Sequence, residues 1–205
     1  GVWHHIAAVH TRSGSTSTMK VYLNGKDVGG STVGASNSPN DNSHPLTIGS
    51  RFSTSNAPFQ GQIDEVRIWS EVRSQADIKA NMHTELSGGE SNLVAYYNFN
   101  EGTGTTVSDM SSNSNNGTMT NMASDDWISN SLFAQDYSLD LDGSNDYVQV
   151  ADDNALDISS SITVSAWIYP TNIANKDGII SKRTSTENSG DWAFRLTSAA
   201  KLKLL

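Results

Sequence analysis

Ile162-Thr163-Val164-Ser165-Ala166-Trp167-Ile168-Tyr169 alternates without a break. Ile162, Val164, Ala166 and Ile168 fall on one side; Thr163, Ser165, Trp167 and Tyr169 fall on the other. Successive side chains leave a strand in opposite directions, so this period of two reads as a β-strand with one apolar and one largely polar face. Further strand-like runs lie on both sides of it, at residues 137–141, 147–150, 178–181 and 192–196, and upstream at 3–10, 18–23, 47–49, 62–69 and 93–99. Short strands at this density, punctuated by Gly, Asn and Ser, predict an all-β fold built as an antiparallel two-sheet sandwich.

Local signals refine the picture. Asn24-Gly25 follows the run at 18–23 and marks a hairpin, because both residues tolerate positive φ. In the run at 62–69, strict alternation puts Ile63, Glu65, Arg67 and Trp69 on one face and Gln62, Asp64, Val66 and Ile68 on the other. Neither face is cleanly apolar, which suits a strand covered at its centre and starting at a site or an edge. One short helix is expected after Ser74, with Asp77 completing a capping box and Gly88-Gly89 stopping it, as a lid on an edge. A parallel α/β fold would need crossover helices and is excluded by their absence from the pattern. Residues 101–131 read as a long polar stretch rich in Ser, Asn, Thr and Gly.

Composition narrows the function classes. The chain has 205 residues, with 13 Lys plus Arg against 22 Asp plus Glu, a formal net charge of −9. A binder of nucleic acid or of an anionic membrane surface needs basic stripes that are missing here. No apolar run reaches the roughly 20 residues of a membrane helix, so membrane insertion is not expected. With no cysteine, disulfides, thiol catalysis and Cys-ligated zinc drop out together. The start at Gly1-Val2-Trp3-His4-His5 lacks the charge and apolar stretch of a signal peptide, so the sequence reads as internal to a longer protein or as an expressed segment. The negative charge is concentrated: residues 101–157 hold 11 acids and no Lys or Arg. Such a run reads as solvated loops or as oxygen ligands for a hard cation such as Ca²⁺.

The motifs Trp3-His4-His5-Ile6-Ala7-Ala8-Val9, Met19-Lys20-Val21-Tyr22-Leu23-Asn24-Gly25, Leu46-Thr47-Ile48-Gly49 and the run at 61–69 resemble the C-terminal half of a laminin-G-like, concanavalin-A-like jelly-roll domain. Residues 93–99, Asn115-Asn116-Gly117, 141–148, 162–168 and 179–182 resemble its N-terminal half. The order is thus reversed: a segment 1–90 like the C-terminal half precedes a segment 91–205 like the N-terminal half. Together they amount to about one complete domain, permuted in one chain or split across a tandem repeat. Each half alone would leave open sheet edges and half a core, so the halves must complement each other within one chain or between chains. The resemblance implies an extracellular or cell-surface protein, exported and of bacterial type.

Glycoside hydrolysis on this fold would need two carboxylates facing across a cleft. Asp64 and Glu65 are adjacent and so point to opposite faces, which argues against an enzyme. His4, His5 and His10 lie in one strand without a nucleophile elbow and read as packing residues. The turn Asp142-Gly143-Ser144-Asn145-Asp146 gathers two carboxylates, an amide and free carbonyls. By resemblance, a structural calcium would be held by Asp142, the Gly143 carbonyl, Asp146 and Asp64, clipping the two halves together; a plain Asx turn is the other reading. For a ligand, Trp167, Tyr169, Trp192 and Asp191 are the candidates, as sugar sites pair aromatic faces with hydrogen-bonding side chains; as the alternative, the aromatics are core or edge-covering groups. The reading that results is a non-catalytic binding or adhesion module for a glycan or cell-surface ligand. The alternative is a structural unit that self-assembles by complementation between chains.

Overall fold

The computed structural model, which describes residues 1–34, 43–51, 57–129, 137–172, 178–183, 192–196 and 202–204, is built from antiparallel strands. Before residue 90 these are β1 (His4–Ser13), β2 (Thr16–Leu23), β3 (Lys26–Gly34), β4 (Leu46–Ile48) and β5 (Gln60–Trp69), followed by the helix α1 (Gln75–Asn81). After it come β6 (Leu93–Tyr97), β7 (Thr106–Val107), β8 (Gly117–Thr120), β9 (Trp127–Ser129), β10 (Tyr137–Asp142), β11 (Tyr147–Val150), β12 (Ile162–Asn172), β13 (Gly178–Lys182), β14 (Trp192–Leu196) and β15 (Leu202–Leu204). The larger sheet runs β3-β2-β1-β12-β5-β10-β9, with β6 also pairing β5, and the smaller runs β15-β14-β13-β4-β11-β8-β7. The fold is an all-β, two-sheet sandwich.

Both segments of the chain contribute to both sheets. β12 lies between β1 and β5, and β4 lies between β13 and β11. Removing either segment would strip the central partners from the other. The alternation along residues 162–169 decides the packing. Ile162, Val164, Ala166 and Ile168 face the core, where they meet Ile6 and Ala8 of β1, Leu139 and Leu141 of β10, and Ile48, Val148, Ile180 and Phe194 of the opposite sheet. Burying this apolar surface is the main force holding the two sheets together.

Three local features depart from simple expectation. First, β5 does not alternate throughout. Ser165 and Trp167 of β12 pair with Arg67 and Asp64, so β5 carries one extra residue there. Glu65 takes that place with φ of 52°, a β-bulge. The bulge moves Val66 onto the core side with Ile63 and Ile68, and leaves Glu65 with Arg67 and Trp69 on the outer side. Second, α1 is shorter than the glycine stop implies. Its capping box forms, with Ser74 as the cap and Asp77 reaching back, but the helix ends near Met82, before Gly88. It covers the outer face of the larger sheet, where Ile78 packs on Ala7, Val9 and Tyr22. Third, the polar stretch at 101–131 holds the short strands β7, β8 and β9, which carry too few residues to show alternation. The Asn24-Gly25 turn is as read, with φ of 49° and 70° joining β2 to β3.

Candidate functional site

The outer face of the larger sheet carries a buried ionic cluster. Glu65 and Arg67 are both almost fully enclosed, at 1% and 3% exposure. The Arg67 guanidinium donates to the Glu65 carboxylate through Nε at 3.1 Å and through Nη2. It also donates to the carbonyls of Asn81 (2.8 Å), the last residue of α1, and Thr84 (2.6 Å), just past it. Tyr96 on β6 donates its hydroxyl to the other Glu65 oxygen at 2.6 Å, and its ring lies under the guanidinium. The cluster therefore straps the segment after the helix onto the sheet. Burial pushes the Glu65 carboxyl up, while Arg67 and Tyr96 pull it down. Committed on all sides, the carboxylate has no opening to a substrate.

Beside the cluster, His5 is held far from its ordinary titration range, at about 3, first by burial and then by the Arg67 and His83 charges. Its ring meets Trp167 edge-on with centroids 5.4 Å apart, and His83 covers the same indole at 5.3 Å. Trp167 Nε1 donates to the Met82 carbonyl at 2.7 Å. Trp167 is thus a covered anchor for the post-helix segment, 6% exposed, and offers no platform to a ligand. A small cleft between α1 and the sheet is lined by His5, Arg67, Arg73, Thr163 and Ser165. Most of its polar groups are already engaged: Arg73 pairs with Glu71 at 2.8 Å over the Trp69 ring, and Thr163 donates to the Glu71 carbonyl.

Trp192 lies inside the sandwich at 2% exposure, in the same cluster as Phe194 and Leu196. The reading of Trp192 as a surface aromatic is corrected by β14's own alternation, which puts these three side chains on the core face. Asp191 lies outside the described residues. Of the three described ligand candidates, Trp167, Trp192 and Tyr169, only Tyr169 is placed at a surface.

The calcium donor set does not come together. Asp142 pairs with Gln60 across β10 and β5, and Asp64 stands four residues further along β5. At about 3.3 Å per residue the two are roughly 13 Å apart, whereas ligands at about 2.3–2.6 Å from one ion lie within about 5 Å of each other. Asp64 is buried, and its Oδ1 accepts from the Glu65 N–H at 2.6 Å. In the turn, Asp142 Oδ1 accepts from the Ser144 N–H at 2.7 Å and Asp146 Oδ2 from the Asp142 N–H at 3.0 Å. Gly143 has φ of 79°, and a Cβ there would lie 2.7 Å from that of Gln60. These are the marks of an Asx turn closed on itself. Among the described residues no three His, Asp or Glu side chains converge as a metal site.

What the register does assemble is a strip across the outer face. Tyr169 pairs with Gln62, and Gln62 with Asp140. Directly opposed residues share a face, so the three side chains stand in one row across β12, β5 and β10. Trp3, just before β1, extends the row: its ring meets that of Tyr169 at 5.7 Å with planes at 57°. At the other end Asp126 and Asp142 act on Asp140, whose carboxyl is raised by burial and by these two charges. Trp3, Tyr169, Gln62 and Asp140 are each partly exposed. Ser138 Oγ donates to Gln62 Oε1 at 3.4 Å, whereas the Trp3 indole N–H, the Tyr169 hydroxyl and the Asp140 carboxylate have no hydrogen-bond or ion-pair partner among the described residues. Trp3, Gln62 and Asp140 escape a reading of the sequence, since what unites them is strand order. The one signal for Gln62 was its position at the polar start of a strand.

The concanavalin A-like lectin/glucanases superfamily matches through a laminin G family model, over residues 1–79 and 142–205. No curated protein and no solved structure matches the chain.

Proposed function

Because the chain belongs to the concanavalin A-like lectin/glucanases superfamily, we propose that it is a non-catalytic glycan-binding module, acting in adhesion outside the cell. The strip Trp3–Tyr169–Gln62–Asp140 is the observation that carries this reading. An aromatic pair offers a face for the C–H side of a sugar ring, and the amide and carboxylate beside it accept and donate hydrogen bonds to hydroxyls. Neighbouring strands lie about 4.8 Å apart, so Tyr169 and Asp140 are separated by roughly 10 Å, a span that two linked sugar rings cover. Laminin G-like domains are in general binding modules, and the closure of Glu65 by Arg67 and Tyr96 supports the non-catalytic side of the proposal. A glycan array followed by titration of the best hits tests it. Tyr169→Ala should weaken binding at least about tenfold, the order expected for loss of a stacking aromatic. Unchanged affinity in that variant, or hydrolysis of a bound oligosaccharide, would refute the proposal.

A further inference from the structure

The strip is chemically lopsided, and its lopsidedness points to a class of glycan. One end is aromatic and uncharged. The other is acidic, and Asp140 there differs from most of the acidic run at 101–157. Asp109 accepts from the backbone N–H groups of Tyr96, Ser111 and Asn115, and Asp152 and Asp157 share the buried Lys182 ammonium at 2.6 and 3.0 Å. Glu101 accepts from the Ser108 N–H and Asp153 from the Ala155 N–H. Asp140 has no such engagement among the described residues, and the charges that act on its carboxyl are the like charges of Asp126 and Asp142. With no Lys or Arg between residues 101 and 157, nothing in that part of the chain neutralises it.

Resting on the glycan-binding reading of the same strip, we propose that it selects glycans bearing a free, protonated amine over neutral or N-acetylated ones. A sugar ring laid on Tyr169 carries its neighbour past Gln62 to Asp140. An ammonium there donates up to three charge-assisted hydrogen bonds to carboxylate oxygens and relieves the repulsion among them. N-acetylation removes that charge. A metal ion would relieve the repulsion as well, but among the described residues no three His, Asp or Glu side chains converge to hold one. A basic peptide would satisfy the acids without using the aromatic end.

The test is calorimetric titration of the purified protein, in mildly acidic buffer, with a glucosamine oligosaccharide, its fully N-acetylated counterpart, a cello-oligosaccharide and an oligolysine. The amine form should bind about tenfold more tightly than the other two sugars, as a charge-assisted contact implies. That preference should shrink at high salt, because the site is partly exposed. Asp140→Asn should abolish the preference, bringing the amine form down to the affinity of the neutral sugars, with the melting temperature unchanged. Equal affinity for all three sugars would overturn the inference and leave the glycan reading standing. Absence of binding by every sugar would overturn both. Oligolysine binding as tightly, and unaffected by Tyr169→Ala, would show that charge alone attracts it and also overturn the inference. Should Asp140→Asn fail to fold, the wild-type salt series decides: a preference that persists undiminished at high salt refutes it.

Discussion

His5 offers a sharp test of how the outer face is sealed. Its ring is 3% exposed, enclosed by Trp167 of β12, by His83 after α1 and by the Arg67 guanidinium on β5. Burial and the neighbouring positive charges lower its pKa from 6.5 to about 3. The sign follows directly. A depressed histidine is neutral in the folded protein, while the unfolded chain takes up a proton below its ordinary pKa. The stability it contributes is complete above about pH 6.5 and is lost as the pH falls toward 3. Each pH unit costs about 1.4 kcal/mol, so the loss reaches about 2–3 kcal/mol by pH 4.5 and about 5 kcal/mol in all. Other groups also bind protons differently in the folded and unfolded chain, His10 and Asp77 with lowered pKa and Glu65 and Asp140 with raised pKa, so the comparison must be with a His5→Gln variant. Urea unfolding followed by tryptophan fluorescence, at steps from pH 7.5 to 4.5, measures it. The wild type should lose stability more steeply than the variant, by about 1.4 kcal/mol per pH unit below 6.5. Parallel curves would mean that His5 is protonated in the fold and that the seal over it is open.

Three further outcomes are expected. Arg67→Met should cost about 3–5 kcal/mol in chemical denaturation, because it leaves the Glu65 carboxylate buried and unpaired; adding Glu65→Gln should recover part of that. Gly61 sits at φ of 133°, with the space for a Cβ only 2.2 Å from the Tyr169 carbonyl oxygen. Gly61→Ala should therefore lower stability by about 1–3 kcal/mol and also weaken binding at the strip, read by denaturation and by titration with the glycan. EDTA should leave the melting temperature unchanged within about 1 °C, since the donors at Asp64 and Asp142 are too far apart to share an ion and ligand-linked stabilisation needs a site. A fall of several degrees, absent in Asp142→Ala, would restore the calcium clip.

Several of these features are readable before any coordinates. The unbroken alternation at 162–169 assigns every side chain of that stretch to its observed face, and Ser74 with Asp77 marks the helix start. Trp192 was equally open to such a reading, since Trp192, Phe194 and Leu196 recur at every second position of β14. Its aromatic character suggested a ligand surface where the pattern indicated a core. The bulge at Glu65 is different. One inserted residue reverses the faces of everything after it, and no side chain in Asp64-Glu65-Val66 announces a positive φ. The strip is hidden for another reason. Trp3, Gln62, Asp140 and Tyr169 come from four distant parts of the chain, and only the order β1-β12-β5-β10 brings them into line.

That alignment is tested most directly by NMR. A ¹⁵N- and ¹³C-labelled sample titrated with a glucosamine oligosaccharide should show shift changes centred on the Trp3 indole, the Tyr169 ring, the Gln62 amide side chain and the Asp140 carboxylate. Trp192, enclosed between the two sheets, should move little. Changes centred elsewhere, or none at saturating sugar, would contradict the assignment of this strip as the binding surface.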